Sequence, residues 1–216
     1  MQEGTAYLVS LLATGFLLGL RHALDADHVV AVTTLLRRRA DLKTLLGYGA
    51  TWGLGHTATL LATGLFVLTF RRAIPDDVAS LFEGTVGVML IVLGLGVLVR
   101  PARPDEAART GPEPASFSAR GVGLRPFLVG SVHGLAGSAA LMLLVLSTVP
   151  SAGAGVVYIL VFGVGSILGM LLFSGALSFP LSFVVRHDVL YRCVQAAVGC
   201  VSIGLGLTIV AAHAPL

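Results

Sequence analysis

The chain has 216 residues, of which 56% are hydrophobic and only 12% charged, so its polar residues cannot coat a soluble globule and we predict an integral membrane protein. The 27 glycines fit close packing between membrane helices better than flexible linkers. The net charge of +3 does not indicate nucleic acid, because every Lys and Arg except Arg21 lies between apolar runs or near their ends.

Six apolar runs follow one another along the chain, and each reaches the roughly 20 residues that a membrane-spanning helix needs. We expect no signal peptide, because the first run leads into Arg-His-Ala-Leu-Asp and not into a small-residue cleavage site. The longest connection, residues 101–125, is rich in Pro, Ala and mixed charge and is predicted to be a loop. The runs are Tyr7–Leu36, Thr44–Phe70, Val78–Val99, Pro126–Val149, Val156–Val185 and Val189–Ala212.

Lys and Arg are concentrated on alternate connections between these runs. The connections after the first, third and fifth runs carry nearly all of them, whereas the second carries Arg71 and Arg72 and the fourth carries none. The positive-inside rule then places the three basic connections in the cytoplasm. We therefore predict a multi-pass protein of the cell membrane with both termini outside the cytoplasm and with residues 101–125 as a cytoplasmic loop.

Ionisable residues interrupt the first run near its centre, in the order Arg21-His22-Ala-Leu-Asp25-Ala-Asp27-His28. Three full charges at the centre of a membrane helix cost roughly 8–10 kcal/mol on the insertion scale, so the segment must have a compensating role. Two imidazoles and two carboxylates suit a first-row divalent metal, and imidazole favours Ni, Co, Cu or Zn over Mg or Ca. The alternative is a structural ion pair between Arg21 and Asp25, which leaves both histidines unexplained.

The spacing of this segment conflicts with an ideal helix. At about 100° per residue, Asp27 lies about 140° from His22, so a straight helix cannot present both to one ion. Either the helix unwinds near Asp25 to Asp27, or Asp27 supports the site from behind. The first run is longer than one span requires, and broken helices at the midplane are common in transporters. We therefore expect a local break, with His56 of the second run completing the metal shell.

The two halves of the chain resemble each other at a nearly fixed offset. His22 corresponds to His133 at an offset of 111, and two later groups of residues correspond at 110. Each half holds three runs, an odd number, so the second half must begin from the opposite side of the membrane. We therefore predict an all-α transmembrane bundle of about six helices in two inverted three-helix repeats, residues 1–100 and 126–216, with the site where they meet. The later groups pair Tyr48, Gly53 and Gly55 with Tyr158, Gly163 and Gly165, and Gly94 and Gly96 with Gly204 and Gly206.

The segment around His22, which has four residues between this histidine and Asp27-His28, resembles the signature of the nickel/cobalt transporter family. In that family the His-x4-Asp-His helix is the metal-recognition element, and the resemblance implies this role for His22, Asp27 and His28. Asp25 lies inside the matching segment. The sequence Leu-Gly-His56-Thr resembles the family's second histidine motif, so the resemblance covers about fifty contiguous residues of the first half.

The chain differs from the longer members of that family in two ways. We expect no additional membrane helix before the run that carries the signature, and a Ser-Val-His133-Gly sequence stands where an acidic motif is expected. In these respects it is similar to the compact, urease-accessory-type branch of nickel permeases. With His133 added as the repeat equivalent of His22, the predicted metal ligands are His22, Asp25, Asp27, His28, His56 and His133.

Several other residues receive supporting or structural interpretations. His187 and His213 lie at loop or terminal positions and are expected to be solvated. Cys193 and Cys200 are expected to be small packing residues on one helix face. Trp52 and Tyr48 are interpreted as packing residues or interface anchors. Nearby hydroxyls that could hydrogen-bond the imidazoles and fix their tautomers are those of Thr51, Thr57, Ser131 and Ser138.

These residues favour a secondary permease that takes Ni²⁺, or Co²⁺, into the cytoplasm. The metal ion is then the substrate, and no catalytic cofactor, enzyme activity or nucleic-acid partner is expected. The sequence contains no Gly-rich phosphate loop, so ATP coupling would require another subunit. The alternatives are nickel/cobalt efflux and a membrane metalloenzyme. A His-Glu-x-x-His protease motif is absent, and a histidine-box oxygenase would need several closely spaced histidine pairs.

Overall fold

The computed structural model describes residues 2–35, 42–70, 74–99, 123–136, 149, 151–184 and 186–213. Every regular element within these residues is an α-helix, so the predicted all-α class is confirmed. In chain order the helices are α1 Gln2–His22, α2 Ala26–Leu35, α3 Leu42–Phe70, α4 Asp76–Val99, α5 Leu124–Ala136, α6 Ala152–Val184 and α7 Asp188–Ala212.

The described helices form a polytopic membrane bundle. Helices α3, α4, α6 and α7 are each long and apolar enough to cross a bilayer, and the bent pair of α1 and α2 makes a fifth span if it is counted as one. Large apolar side chains, such as Phe179 at 84% exposure, cover the outside, where lipid is their natural solvent. The chain is therefore a membrane protein. Helix α5 covers only the start of the fourth predicted run, and residues 137–148 lie outside the described part, so the sixth span stays a prediction.

The first apolar run is broken, as the sequence predicts. Helix α1 ends at His22, helix α2 begins at Ala26, and their axes differ by 50°. In between, the amides of Leu24 and Asp25 donate to the carbonyls of Arg21 and His22, three residues back, at 2.9 and 3.0 Å. This tighter turn replaces the regular helical bond to the fourth residue back. The break thus begins two residues earlier than the Asp25 to Asp27 interval proposed from the spacing.

Local electrostatics favour helix ends at this break. His22 lies in the last turn of α1, at the negative end of that helix dipole, where a basic residue is favourable. Asp27 lies in the first turn of α2, at the positive end, where an acidic residue is favourable. The Asp27 carboxylate also accepts a hydrogen bond from the backbone amide of His28 at 2.9 Å, which satisfies one of the amides that a helix start leaves unpaired. The signature sequence therefore supplies its own helix terminus.

Glycine brings helix backbones together where α4 crosses α7 and at two further crossings that are built alike. Where α1 crosses α6, a Cβ atom on Gly19 would overlap the carbonyl oxygen of Phe162, and a Cβ on Gly165 would overlap that of Phe16. Only hydrogen atoms fit between these backbones, so the glycines fix how closely the helices approach. This crossing anchors the helix that ends at the break.

The crossing of α5 with α3 is built in the same way. A Cβ atom on Gly130 would overlap the carbonyl oxygen of Trp52, and a Cβ on Gly55 would overlap that of Phe127. Each of these residues corresponds to one in the first crossing at an offset of 110 or 111 residues. These matched contacts are what a duplicated unit predicts. The division into three-helix repeats and their inverted orientation stay predictions.

Candidate metal site

Three segments meet at the break. The first is the break itself, with His22 at the end of α1 and Asp27 and His28 at the start of α2. The second is α3, which contributes His56 from its middle, and the third is α5, which contributes His133. The side chains of His28, His56 and His133 are no more than 1% exposed, whereas those of His22 and Asp27 are 20% and 29% exposed. Five of the six predicted ligands therefore lie in one cluster, three of them fully buried.

Three imidazoles form the first potential ligand set. His22, His28 and His56 can each offer one ring nitrogen such that all three atoms lie within 4.8 Å of one another. The ring centroid of His22 lies 4.5 Å from that of His28 and 5.2 Å from that of His56. Metal–nitrogen bonds of about 2.1 Å place two ligand atoms at most about 4.2 Å apart, so small side-chain rotations would close this set on one ion.

A carboxylate and two imidazoles form the second set. One ligand atom each from Asp27, His28 and His133 again lies within 4.8 Å of the others. Asp27 joins the two rings, because its Oδ1 lies 3.2 Å from Nδ1 of His28 and its Oδ2 lies 3.2 Å from Nε2 of His133. Asp27 thus points into the cluster, although an ideal straight helix would turn it away from His22.

Several nitrogens of this cluster have no hydrogen-bond partner among the described residues. They are Nε2 of His28, both ring nitrogens of His56 and Nδ1 of His133. A buried polar atom without a partner costs free energy, so native proteins rarely keep one without a reason. A bound cation would use these lone pairs, and imidazole is a preferred ligand of Ni and Co. The donor set therefore fits a late first-row divalent ion.

Asp25 occupies a different position from the other acidic residue. Its side chain is 52% exposed, belongs to neither ligand set, and places Oδ2 2.7 Å from Nδ1 of His22. The turn at the break brings these two side chains together, so Asp25 pairs with His22. The structural alternative required a pair between Asp25 and Arg21 instead. Its role as a direct ligand stays a prediction, and the geometry supports a second role, orientation of the His22 ring.

Two of the predicted hydroxyl groups, those of Ser131 and Thr57, do not hydrogen-bond the imidazoles. Ser131 donates to the carbonyls of Phe127 and Gly55, at 3.0 and 3.4 Å, and Thr57 donates to the carbonyl of Gly163 at 3.4 Å. Both hydroxyls donate to backbone carbonyls of the closely packed crossings, so the supporting role predicted for Ser131 and Thr57 is wrong. Ser138 lies outside the described residues.

Trp52 is a neighbour of the cluster that the sequence interpretation underestimated. It is 1% exposed, so it is a core residue and not an interface anchor. Its ring lies parallel to that of His28, with centroids 6.0 Å apart and planes inclined by 7°, and its centroid is 5.3 Å from that of His133. A signal was available, because Trp52 precedes His56 by four residues and so lies on the same face of α3.

The remaining histidines and the cysteines lie outside the cluster, and only His187 is as exposed as we expected. His187 is exposed, and His213 is partly buried and donates from Nδ1 to the carbonyl of Ile209 at 3.0 Å. Both cysteines are free and exposed on α7, so Cys193 and Cys200 are not the packing residues that we expected. Neither group contributes to the cluster at the break.

No family model and no solved structure matches the chain. It is 32% identical over 205 residues to the urease accessory protein UreH of Bacillus sp. (strain TB-90), covering 93% of this chain and 90% of UreH. It is 31% identical over 208 residues to the chloroplast protein FOR GROWTH AND FERTILITY 2 of Arabidopsis thaliana, covering 91% of this chain and 55% of that protein. A putative nickel/cobalt efflux system of Methanocaldococcus jannaschii is 30% identical over 96 residues, covering 43% of this chain and 45% of its own length.

The similarity to UreH extends over nearly the whole of both proteins, which a shared motif alone would not produce. The similarity to the archaeal protein is local and connects the chain to nickel and cobalt. Both relatives agree with the family that the signature of His22, Asp27 and His28 indicates. The chain belongs to the UreH-type branch of the nickel/cobalt transporter family.

Proposed function

We propose that the chain is a secondary permease that carries Ni²⁺, or Co²⁺, across the membrane into the cytoplasm. The observation that carries this proposal is the buried donor cluster at a helix break between membrane-spanning helices. Its lone pairs would replace the water around a dehydrating ion, and its imidazoles favour Ni and Co over the more abundant Mg and Ca. The cluster consists of His22, Asp27, His28, His56 and His133.

The carboxylates have separate tasks in this proposal. Asp25 accepts a hydrogen bond from Nδ1 of His22, which leaves the Nε2 lone pair of that ring for the ion. Asp27 lies among the imidazoles and supplies negative charge against the two positive charges of the metal. The break between α1 and α2 is what allows both carboxylates to act near one ion.

Import is the direction that we favour. UreH is by its name a urease accessory protein, and a chain that supplied metal to an enzyme inside the cell would have to carry the metal inward. We also propose that both termini lie outside the cytoplasm, because of the distribution of Lys and Arg on alternate connections. A non-enzymatic role is supported by the relatives, since none of the three is named as an enzyme.

Efflux is the second candidate, because the archaeal relative is named a putative nickel/cobalt efflux system. The same donor cluster could serve either direction, so its geometry does not distinguish import from efflux. A measurement of whole-cell nickel accumulation does distinguish them. Expression of an importer raises the cellular nickel content at a fixed external concentration, whereas expression of an exporter lowers it.

Uptake of Ni²⁺ and Co²⁺ by vesicles that contain the purified protein tests transport itself. We expect Co²⁺ to inhibit the uptake of Ni²⁺ and Ni²⁺ to inhibit the uptake of Co²⁺. Excess Mg²⁺ should inhibit neither. His187→Ala is a matched control, because this histidine is exposed and its side chain makes no capping hydrogen bond. Uptake no faster than in protein-free vesicles would contradict the proposed function.

A further inference from the structure

We propose that the cluster provides two alternative positions for one ion, which share His28 and are used in succession. The inference rests on the proposed function, because it describes the path of a transported ion. The first position is formed by His22, His28 and His56, and the second by Asp27, His28 and His133. Ligand atoms of the five residues do not all lie within 4.8 Å of one another, so the described side chains offer two three-residue sets and not one five-residue set.

The chemistry of His28 makes the two positions exclusive. Its Nδ1 lies 3.2 Å from the Asp27 carboxylate, towards the second position, whereas its Nε2 is buried without a partner. We assign Nε2 to the first position. A neutral imidazole has a lone pair on only one of its two nitrogens, so His28 binds one ion at a time. His28 therefore serves the two positions through different nitrogens, and its single ring proton must move from Nδ1 to Nε2 when an ion leaves the first position and binds in the second.

The two positions also differ in their surroundings. Each combines one partly exposed ligand with two buried ones: His22 has 20% of its side chain exposed and Asp27 has 29%, whereas the shared His28 has 1%. An ion can thus reach the first position at His22 and leave the second at Asp27, or travel in the reverse direction. The buried step lies between them, at His28.

The move also changes which helices hold the ion. The first position takes its ligands from α1, α2 and α3, whereas the second takes them from α2 and α5. An ion that moves from the first position to the second would thus lose its ligands on α1 and α3, keep ligands on α2, and acquire one on α5. A displacement of α5 relative to α1 would favour one position over the other, which is the type of change that alternating access requires.

The experiment compares nickel binding with nickel transport in His56→Ala and His133→Ala. Each variant removes one ligand from one position and leaves the other set intact. We expect each variant to bind one Ni²⁺ per chain in detergent and yet to lose uptake in vesicles, because the path is cut. The double variant should lose high-affinity binding. X-ray absorption of bound nickel should indicate three imidazoles in His133→Ala and two imidazoles in His56→Ala.

Two results would overturn the inference. If either single variant lost binding, the intact set would not be a site by itself, and if either kept native uptake, the succession of positions would be unnecessary. A monodisperse elution profile shows that a variant is folded, and His56→Gln and His133→Gln replace any alanine variant that is not. Failure of the wild-type protein to transport Ni²⁺ would instead contradict the proposed function. His187→Ala should match the wild type in both measurements.

Discussion

The crossing of α1 with α6 and the crossing of α3 with α5 are built on the same plan, yet only one brings two histidines together. Both place glycine against a backbone carbonyl, with Gly19 on Phe162 in the first and Gly130 on Trp52 in the second. At the position that corresponds to His56 of α3, helix α6 carries Ser166. The hydroxyl of Ser166 donates to the carbonyl of Gly19 at 3.2 Å and so serves packing.

The residues that carry the helix packing are not the residues that carry the metal chemistry. Glycine contacts set the helix approach in both crossings, and a change of one side chain decides whether the crossing offers a metal ligand or a hydrogen bond between helices. Ser166 is fully buried, as is His56, so burial alone does not distinguish the two roles. What distinguishes them is the hydrogen bonding, because the nitrogens of His56 have no partner among the described residues.

The largest effect should follow from filling a crossing. Gly130→Val would drive a side chain into the backbone of Trp52, which cannot move without displacing α3. We expect loss of folded protein from the membrane, since overpacking costs about 1–3 kcal/mol even where side chains can adjust. Gly204→Val is the matched control, because nothing lies within 4 Å of a Cβ there. Equal yields of both variants in detergent-soluble, monodisperse form would refute the role of the crossing.

Loss of transport without loss of folding should follow from His28→Ala. This residue belongs to both ligand sets, so its removal leaves no complete set, while the glycine crossings remain intact. Vesicle uptake of Ni²⁺ at equal protein content is the measurement, and we expect it to fall to that of protein-free vesicles. Uptake above half of the wild-type rate would show that the site lies elsewhere.

Much of this fold follows from the apolar runs. The prediction of a helix over Thr44–Phe70 agrees with α3 at Leu42–Phe70, and that over Val156–Val185 agrees with α6 at Ala152–Val184. The observed helices start earlier, because helical hydrogen bonding begins before the first strongly apolar residue of each run. The break was predictable as well, since the spacing of His22 and Asp27 cannot satisfy one ion on a straight helix.

The division of the donors into two sets was not predictable. It depends on how far α3 and α5 rotate about their axes, and that rotation is fixed by contacts such as Gly130 on Trp52, between residues far apart in the chain. The pairing of Asp25 with His22 could not be predicted from the sequence either, because it depends on the turn geometry of the break. Rotation and turn geometry are tertiary properties that a periodic pattern does not contain.

A smaller effect should follow from Asp25→Ala. The carboxylate orients His22 from an exposed position, so its loss should weaken metal affinity by about tenfold, at the low end for residues that support a ligand. We expect a raised KM for Ni²⁺ uptake with unchanged thermal stability in detergent. Asp25→Asn, which keeps an acceptor oxygen, should give an intermediate KM. A KM equal to that of the wild type in both variants would remove the orienting role.

The smallest effect should come from Ser166→Ala in the other crossing. The substitution removes one hydrogen bond between helices, worth about 1 kcal/mol, and no ligand of either set. We expect a slightly lower melting temperature in detergent and unchanged Ni²⁺ uptake. If uptake fell as in His28→Ala, the two crossings would both carry chemistry and the comparison would fail.

We propose that the transported ion binds at the break between α1 and α2. Anomalous X-ray scattering at the nickel edge, from crystals of the protein grown with Ni²⁺, locates the ion directly. We expect an anomalous peak about 2.1 Å from a nitrogen of His28, in one or both of the positions that this residue shares. A principal peak elsewhere in the protein, with no contact to His28, would contradict it.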